Sequence, residues 1–320
     1  MLKAVILFAI GLVLLIKGGD WFVDGSVGIS HRFKVPEILI GATVVSIGTT
    51  LPEVMVSATS AVSGHGQIAY GNAIGSIICN TSLIAALTIA IKPSFTDKRA
   101  LKMPVAFFFI SAVFYAAIAY IFGSFSRISG IALIAIFALY MFLSVKSAVS
   151  GGKETEPTEE QTESSTVKDI VWLIVGAALI AVGARLLVDN GTIIAKSLGV
   201  PESVIGLTFV ALGTSLPELV TAITALTKGH GALSLGNIIG ANLFNLVLVS
   251  GLSTALSPFA VPADNKLFGI ASSLVVDIPV MFAVMLLLTV PALIKGKLYR
   301  AQGIALLLIY TAFCAFQFLI

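Results

Sequence analysis

Gly48–Glu53 reads GTTLPE, and Gly213–Glu218 reads GTSLPE. Each hexapeptide lies inside a long apolar run, so each puts a proline and a carboxylate where a membrane-spanning helix is expected. The likeness extends well beyond the hexapeptides. With a shift of 165 residues, Val35–Pro93 overlays Val200–Pro258 without a gap, and 25 of the 59 positions are identical. Shared positions include Glu53/Glu218, His65/His230, Asn72/Asn237 and Asn80/Asn245. The chain therefore contains an internal repeat.

Composition names the solvent. Of 320 residues, 58% are hydrophobic and 11% charged, whereas a soluble domain carries about 25% charged residues. Too few polar side chains remain to cover a soluble surface, so the chain reads as a polytopic membrane protein in contact with the lipid bilayer. The net charge of +3 is small, and the basic residues sit in short loops, which argues against a nucleic-acid partner. Cys79 and Cys314 lie in apolar runs and define no disulfide framework. The N-terminal run MLKAVILFAIGLVLLI reads as a first transmembrane helix, because no small-x-small cleavage site follows it.

A span needs about 20 apolar residues. Ten stretches qualify: 3–26, 37–62, 67–91, 102–122, 128–148, 169–190, 202–226, 232–256, 268–293 and 301–319. Residues 150–168 are acidic and rich in Thr, Ser and Gly, a solvated linker with nothing to bury. The expected organisation is a first five-helix repeat at 1–149, a cytoplasmic acidic linker at 150–168 and a second five-helix repeat at 169–320. Five is odd, so the second repeat enters the membrane from the opposite face. The expected fold is all-α, with ten transmembrane helices in two inverted repeats, an architecture used by transporters. With the N-terminus outside, 14 of the 19 Lys and Arg fall on the inner side, so both termini are expected outside.

Proline lacks an N–H, and its ring clashes with the carbonyl four residues back. The helices should kink or break at Pro52 and Pro217, freeing carbonyls near Gly48 and Gly213. Such backbone is tolerated in a membrane only where it faces protein or a water-filled cavity. Carbonyls, Thr and Ser hydroxyls and carboxylates form the oxygen set that hard cations take. An acidic residue at the bilayer centre costs about 2.5–3.5 kcal/mol on insertion scales, and Glu53 and Glu218 have no basic neighbour in sequence. Ca2+, Na+ or protons would neutralise them. The second repeated element is GNAIGSIICN, Gly71–Asn80, matched by GNIIGANLFN, Gly236–Asn245. Its GxxxG pairs predict close helix approach. Ser76 and Asn80 share one helix face. Asn245 matches Asn80, whereas Ala241 stands where Ser76 predicts a hydroxyl.

These paired motifs resemble the cation/Ca2+ exchanger superfamily, in particular its prokaryotic sodium/calcium exchanger branch, over nearly the whole chain. The resemblance implies that Ca2+ binds to Glu53 and Glu218 with the main-chain oxygens of Thr49 and Thr214. It implies Na+ sites drawn from Ser46, Thr49, Thr50, Glu53, Ser76 and Asn80 in one half. In the other half they come from the carbonyl of Ala211 with Thr214, Ser215, Glu218 and Asn245. Ala241 departs from a serine that relatives use for one Na+ site. Asn245 stands where some relatives, including potassium-dependent ones, carry Asp, which argues against potassium co-transport. Proton-coupled relatives usually carry a further glutamate after the GN pair, where this chain has Gly75 and Gly240.

The function expected is an antiporter, not an enzyme, exchanging Ca2+ for Na+ by alternating access. It needs no cofactor, works as a monomer and sits as a multi-pass protein in the plasma (inner) membrane. Two alternatives stay open from the residues: an exchanger of the same fold coupled to H+, and a cation channel with the glutamates as a selectivity ring. No HExxH or GxSxG supports an intramembrane enzyme. Asn72 and Asn237 read equally as helix glue or ligands. His65 and His230 read as turn residues, and Asp24, Asp189, Glu37 and Glu202 as caps or interfacial groups. The linker carboxylates Glu154, Glu156, Glu159, Glu160 and Glu163 match no EF-hand spacing.

Overall fold

A computed structural model of the chain describes residues 1–151, 166–198, 211–263 and 266–319. Most of the acidic linker, Glu202 and the start of the seventh predicted span lie outside the described residues. The described chain is almost entirely helical. Its helices are α1 (Leu2–Phe33), α2 (Glu37–Val62), α3 (Gly66–Ile91), α4 (Lys98–Phe122), α5 (Arg127–Gly151), α6 (Thr166–Ser197), α7 (Ala211–Thr214), α8 (Leu216–Thr227), α9 (Gly231–Leu256), α10 (Ser273–Lys295) and α11 (Arg300–Leu319). Among the described residues, nine are long and apolar enough to cross a membrane, and they coincide with nine of the ten predicted spans. The short helices α7 and α8 cover the latter part of the remaining one, the seventh.

Short connections end these helices in ways the residues dictate. Gly123 and Gly296 close α4 and α10 in the left-handed conformation, with φ of 62° and 65°, which a side chain resists. Asp97 caps α4 by accepting a hydrogen bond from the Arg99 N–H at 2.8 Å.

Two prolines of the same motif act differently. In the second half the helix is interrupted at Ser215, with φ −90° and ψ 4°, and resumes with Pro217 in the first turn of α8. In the first half the helix runs unbroken through Pro52, so the expected break is absent there. The irregularity lies upstream, in a π-helical turn at Gly41–Val45.

The chain divides into two compact units. The first comprises Met1–Thr49 and Ser144–Asn237, the second Thr50–Leu143 and Ile238–Ile320. Each therefore draws on both sequence halves.

In the first unit α1 and α6 pack along their lengths. A methyl group on Gly11 would lie 2.9 Å from the Gly183 carbonyl oxygen, and one on Gly18 2.9 Å from that of Gly176. The reverse approaches are both 2.8 Å. The numbering runs in opposite senses along the pair, so the helices are antiparallel. The 165-residue shift carries Gly11 to Gly176 and Gly18 to Gly183, so the contact maps onto itself. A two-fold relation between inverted repeats requires this. Bare glycine backbone gives the close van der Waals packing that holds helices together in lipid, where burial of apolar area drives nothing. Replacing Gly18 by Leu should separate α1 from α6, read as loss of monodisperse protein on extraction in mild detergent.

In the second unit the same exchange occurs between two helix pairs. Gly130 of α5 abuts Gly251 and Ala255 of α9, and Gly303 of α11 abuts Ala86 and Ala90 of α3. Residues 86 and 90 become 251 and 255 under the repeat shift. The two-residue strands Ser124–Phe125 and Phe259–Ala260 pair antiparallel. Below them Phe125 packs against Tyr115 and Phe259, with ring centroids 4.5 and 5.6 Å away.

Candidate functional site

In the first unit Ser46, Thr49, Ser215 and Glu218 are all buried, and Thr214 is partly so. Ser46 directly follows the π-helical turn, and its hydroxyl donates to the Gly41 carbonyl at 2.7 Å. It also lies 3.0 Å from the Asn237 carbonyl oxygen. The Thr49 hydroxyl donates to Asn237 Oδ1 at 3.1 Å. Glu218 sits in the first turn of α8, just after the interruption at Ser215. Ala211 opens α7. The contact between α2 and α9 is backbone to backbone. A methyl group at Gly236 would lie 2.2 Å from the Ile38 carbonyl oxygen, and one at Gly41 2.4 Å from that of Leu233. The GxxxG expectation therefore holds at Gly236. At Gly71 and Gly75 a methyl group meets no described atom within 4 Å; the repeat counterpart of Ile38 is Ser203, outside the described residues.

In the second unit Thr50, Glu53, Ser76, Asn80 and Asn245 are buried, none above 4% exposure. Asn72 donates to the Ser57 hydroxyl at 2.8 Å and to the main-chain oxygen of Glu53 at 3.3 Å, which fixes the turn that carries the carboxylate. Asn80 and Asn245 each begin a π-helical turn, at Asn80–Ala85 and Asn245–Val249. Such turns widen the helix and cluster at functional sites. They were not read from the sequence; the available signal was one amide at the same place in two apolar runs.

Hydrogen-bond accounting supports a polar ligand. The side-chain polar atoms of Thr50, Asn80, Ser215, Thr221 and Asn245 are buried and find no hydrogen-bond partner among the described residues. Buried polar groups in native proteins are rarely left so. These hydroxyls, the buried carboxylates and the amide oxygens are all oxygen donors. Hard cations take such donors, and soft metals do not. Among the described residues no cluster of three His, Cys, Asp or Glu side chains is present to hold a resident metal.

One further group departs from its sequence reading. His230, expected as a plain turn residue, places Nδ1 2.8 Å from Glu37 Oε1 and links the loop before α9 to the start of α2. His31 Nε2 lies 3.8 Å from the same oxygen. Lys228 pairs with Asp24 at 2.7 Å and Asp20 at 3.4 Å. The hydrogen bond to Glu37 raises the His230 pKa above its ordinary value; burial opposes this, the charges of Glu37 and Asp24 assist it, and Lys228 counters it. A raised folded-state value means the contribution is fully present below about pH 6.5, the unfolded value. It is lost as pH rises through the folded value. Melting temperature across pH 6 to 9 should therefore fall more for wild type than for His230→Gln; parallel curves would remove His230 from the linkage.

The family described as "sodium/calcium exchanger protein" matches residues 3–146 and 168–319. This chain belongs to the sodium/calcium exchanger family. It is 38% identical over 304 residues to an uncharacterized membrane protein of Methanocaldococcus jannaschii, covering 95% of this chain and 94% of that one. It is 31% identical over 352 residues to the sodium/calcium exchanger MaX1 of Methanosarcina acetivorans, covering 98% of each. Among solved structures, the sodium-calcium exchanger NCX_Mj soaked with Na+ and Sr2+ superposes with a TM-score of 0.84 at 35% identity over 98% of both chains. The exchanger fold read from the repeated motifs, all-helical with inverted repeats, is thereby shown. Within it, the first unit brings Ser46 and Thr49 to Asn237, and the second brings Asn72 to the backbone of Glu53.

Proposed function

We propose that the chain exchanges Ca2+ for Na+ by alternating access, with Glu53 and Glu218 as the shared charge of its ion sites. The observation that carries this reading is the duplicated GTxLPE motif with two fully buried glutamates in a chain of the sodium/calcium exchanger family. Ca2+ takes those carboxylates with the main-chain oxygens of Thr49 and Thr214. Na+ takes Ser46, Thr49, Thr50, Ser76, Asn80, Ala211, Thr214, Ser215 and Asn245 around the same two glutamates. Either Ca2+ or Na+ cancels the negative charge, so the two ions compete, and competition for one charge is what couples their opposite movements. The partly unsatisfied amides and hydroxyls at these positions support their role as donors.

Alternating access in this reading rests on helices that bend without losing their packing. The π-helical turns at Gly41–Val45, Asn80–Ala85 and Asn245–Val249 and the interruption at Ser215 supply the places where backbone geometry can change. We further propose a plasma (inner) membrane location with both termini outside. Two contacts among residues assigned to the inner side agree with this reading. Arg32 pairs with Asp169 at 3.4 Å, and Lys98 donates to the Ile294 carbonyl at 2.6 Å near Lys295 and Lys297. The exchanger works as a monomer in this reading, since each ion site is drawn from a single chain.

The test is 45Ca2+ uptake into proteoliposomes loaded with Na+, set against a proton gradient and against no gradient. Uptake that requires internal Na+ is the expected result. Uptake driven only by protons would overturn the coupling ion, and equal uptake without any gradient beyond Ca2+ itself would indicate a channel.

A further inference from the structure

The two asparagines of the repeated GN pairs, Asn72 and Asn237, are equivalent in sequence. Asn72 holds its own repeat, through Ser57 and the Glu53 backbone. The counterpart of Ser57 in the second repeat is Ala222, so Asn237 has no such hydroxyl to bind. Its side chain reaches instead into the first repeat, where Oδ1 accepts from the Thr49 hydroxyl at 3.1 Å and lies 3.4 Å from that of Ser46. Asn237 is fully buried, and its Nδ2 finds no hydrogen-bond partner among the described residues.

A hydroxyl has one proton and two lone pairs. While Thr49 gives its proton to Asn237, its lone pairs are left for a cation. If the amide were turned over, Nδ2 would donate to Thr49 and occupy one of its lone pairs, while the hydroxyl proton turned to the Ser46 carbonyl 3.5 Å away. The amide orientation therefore sets how much of the Thr49 hydroxyl is left for a cation. Ser46 is less dependent on it, because its proton is taken by the Gly41 carbonyl at 2.7 Å.

We propose that Asn237 is a positioning residue that sets Na+ affinity through the Thr49 hydroxyl, leaving Ca2+, which uses the Thr49 main-chain oxygen, largely unaffected. This rests on the exchange activity proposed above.

The experiment measures the half-saturating Na+ and Ca2+ concentrations of Na+-driven 45Ca2+ uptake for wild type, Asn237→Leu, Thr49→Val and the double variant. Leu keeps the branching and heavy-atom count of Asn, with bulkier methyl groups, and removes the acceptor. Asn237→Leu should raise the Na+ half-saturation at least about fivefold and move that of Ca2+ by less than about twofold. On the Thr49→Val background the Na+ shift should vanish, because the bond it reports is already gone. A Na+ shift of the same size on that background, or equal shifts for both ions, would overturn the proposal. Asn237→Asp keeps an oxygen for Thr49, so Thr49→Val should cost as much in it as in wild type; a smaller cost would overturn the proposal even if the Leu variant fails to fold. Absence of Na+-driven uptake in wild type would overturn the exchange reading itself, and this one with it.

Discussion

Replacing Glu218 by Gln is expected to abolish Na+-driven Ca2+ uptake, and Glu53→Gln to do the same. Gln keeps the shape and removes one negative charge from a fully buried position. Removing one partner of a buried charge pair costs about 3–5 kcal/mol, which lowers affinity by more than about 100-fold. A divalent ion held by a single carboxylate also retains an uncompensated positive charge in a low-dielectric setting. The same substitution predicts an opposite sign for stability without ions. A charged carboxylate is costly to bury, so the Gln variants should melt at or above the wild-type temperature in ion-free detergent. Ca2+ should stabilise wild type, by about 2.7 kcal/mol at 100 times its dissociation constant, and leave the variants unmoved. Thermal shift with and without Ca2+, measured beside transport, separates loss of the site from loss of the fold. A variant that still gains stability from Ca2+ would remove that glutamate from the site.

Gly236→Ala is expected to be as damaging to transport by a steric route. The added methyl would lie 2.2 Å from the Ile38 carbonyl oxygen, 2.9 Å from its carbon and 3.0 Å from the Ile38 α-carbon. All three are backbone atoms, so no rotamer change can relieve the clash. The start of α2 and α9 must separate, and overpacking of this kind costs about 1–3 kcal/mol or more. The separation would also part Ser46 from the Asn237 carbonyl and Thr49 from Asn237 Oδ1, now 3.0 and 3.1 Å apart. Melting temperature should fall and uptake should be lost together. Gly41→Ala, whose methyl would meet the Leu233 carbonyl at 2.4 Å, should reproduce both effects from the other helix. Full activity in either variant would show that the two helices do not need this contact distance.

Much of this protein is legible in the residues alone. The apolar composition determines a membrane protein, and ten apolar stretches in two matching sets determine inverted repeats. The doubled GTxLPE motif singles out Glu53 and Glu218, since a carboxylate in an apolar run is costly and costly twice at matched positions. These are local or periodic properties, carried by the chain whatever it touches.

What only the tertiary structure decided concerns partners from distant segments. One motif gives a helix interrupted at Ser215, just before Pro217, and a helix that runs unbroken through Pro52 after a π-helical turn at Gly41–Val45. The glycines at 11, 18, 176 and 183 look unremarkable in sequence and form the seam between α1 and α6. His230 reads as a turn residue until Glu37 is found 2.8 Å away. Asn72 and Asn237 occupy matching motifs, and only the structure shows that Asn72 donates to Ser57 and that Asn237 accepts from Thr49. A sequence specifies which hydrogen-bonding groups a residue carries. Which groups lie opposite is set by the packing of helices far apart in the chain.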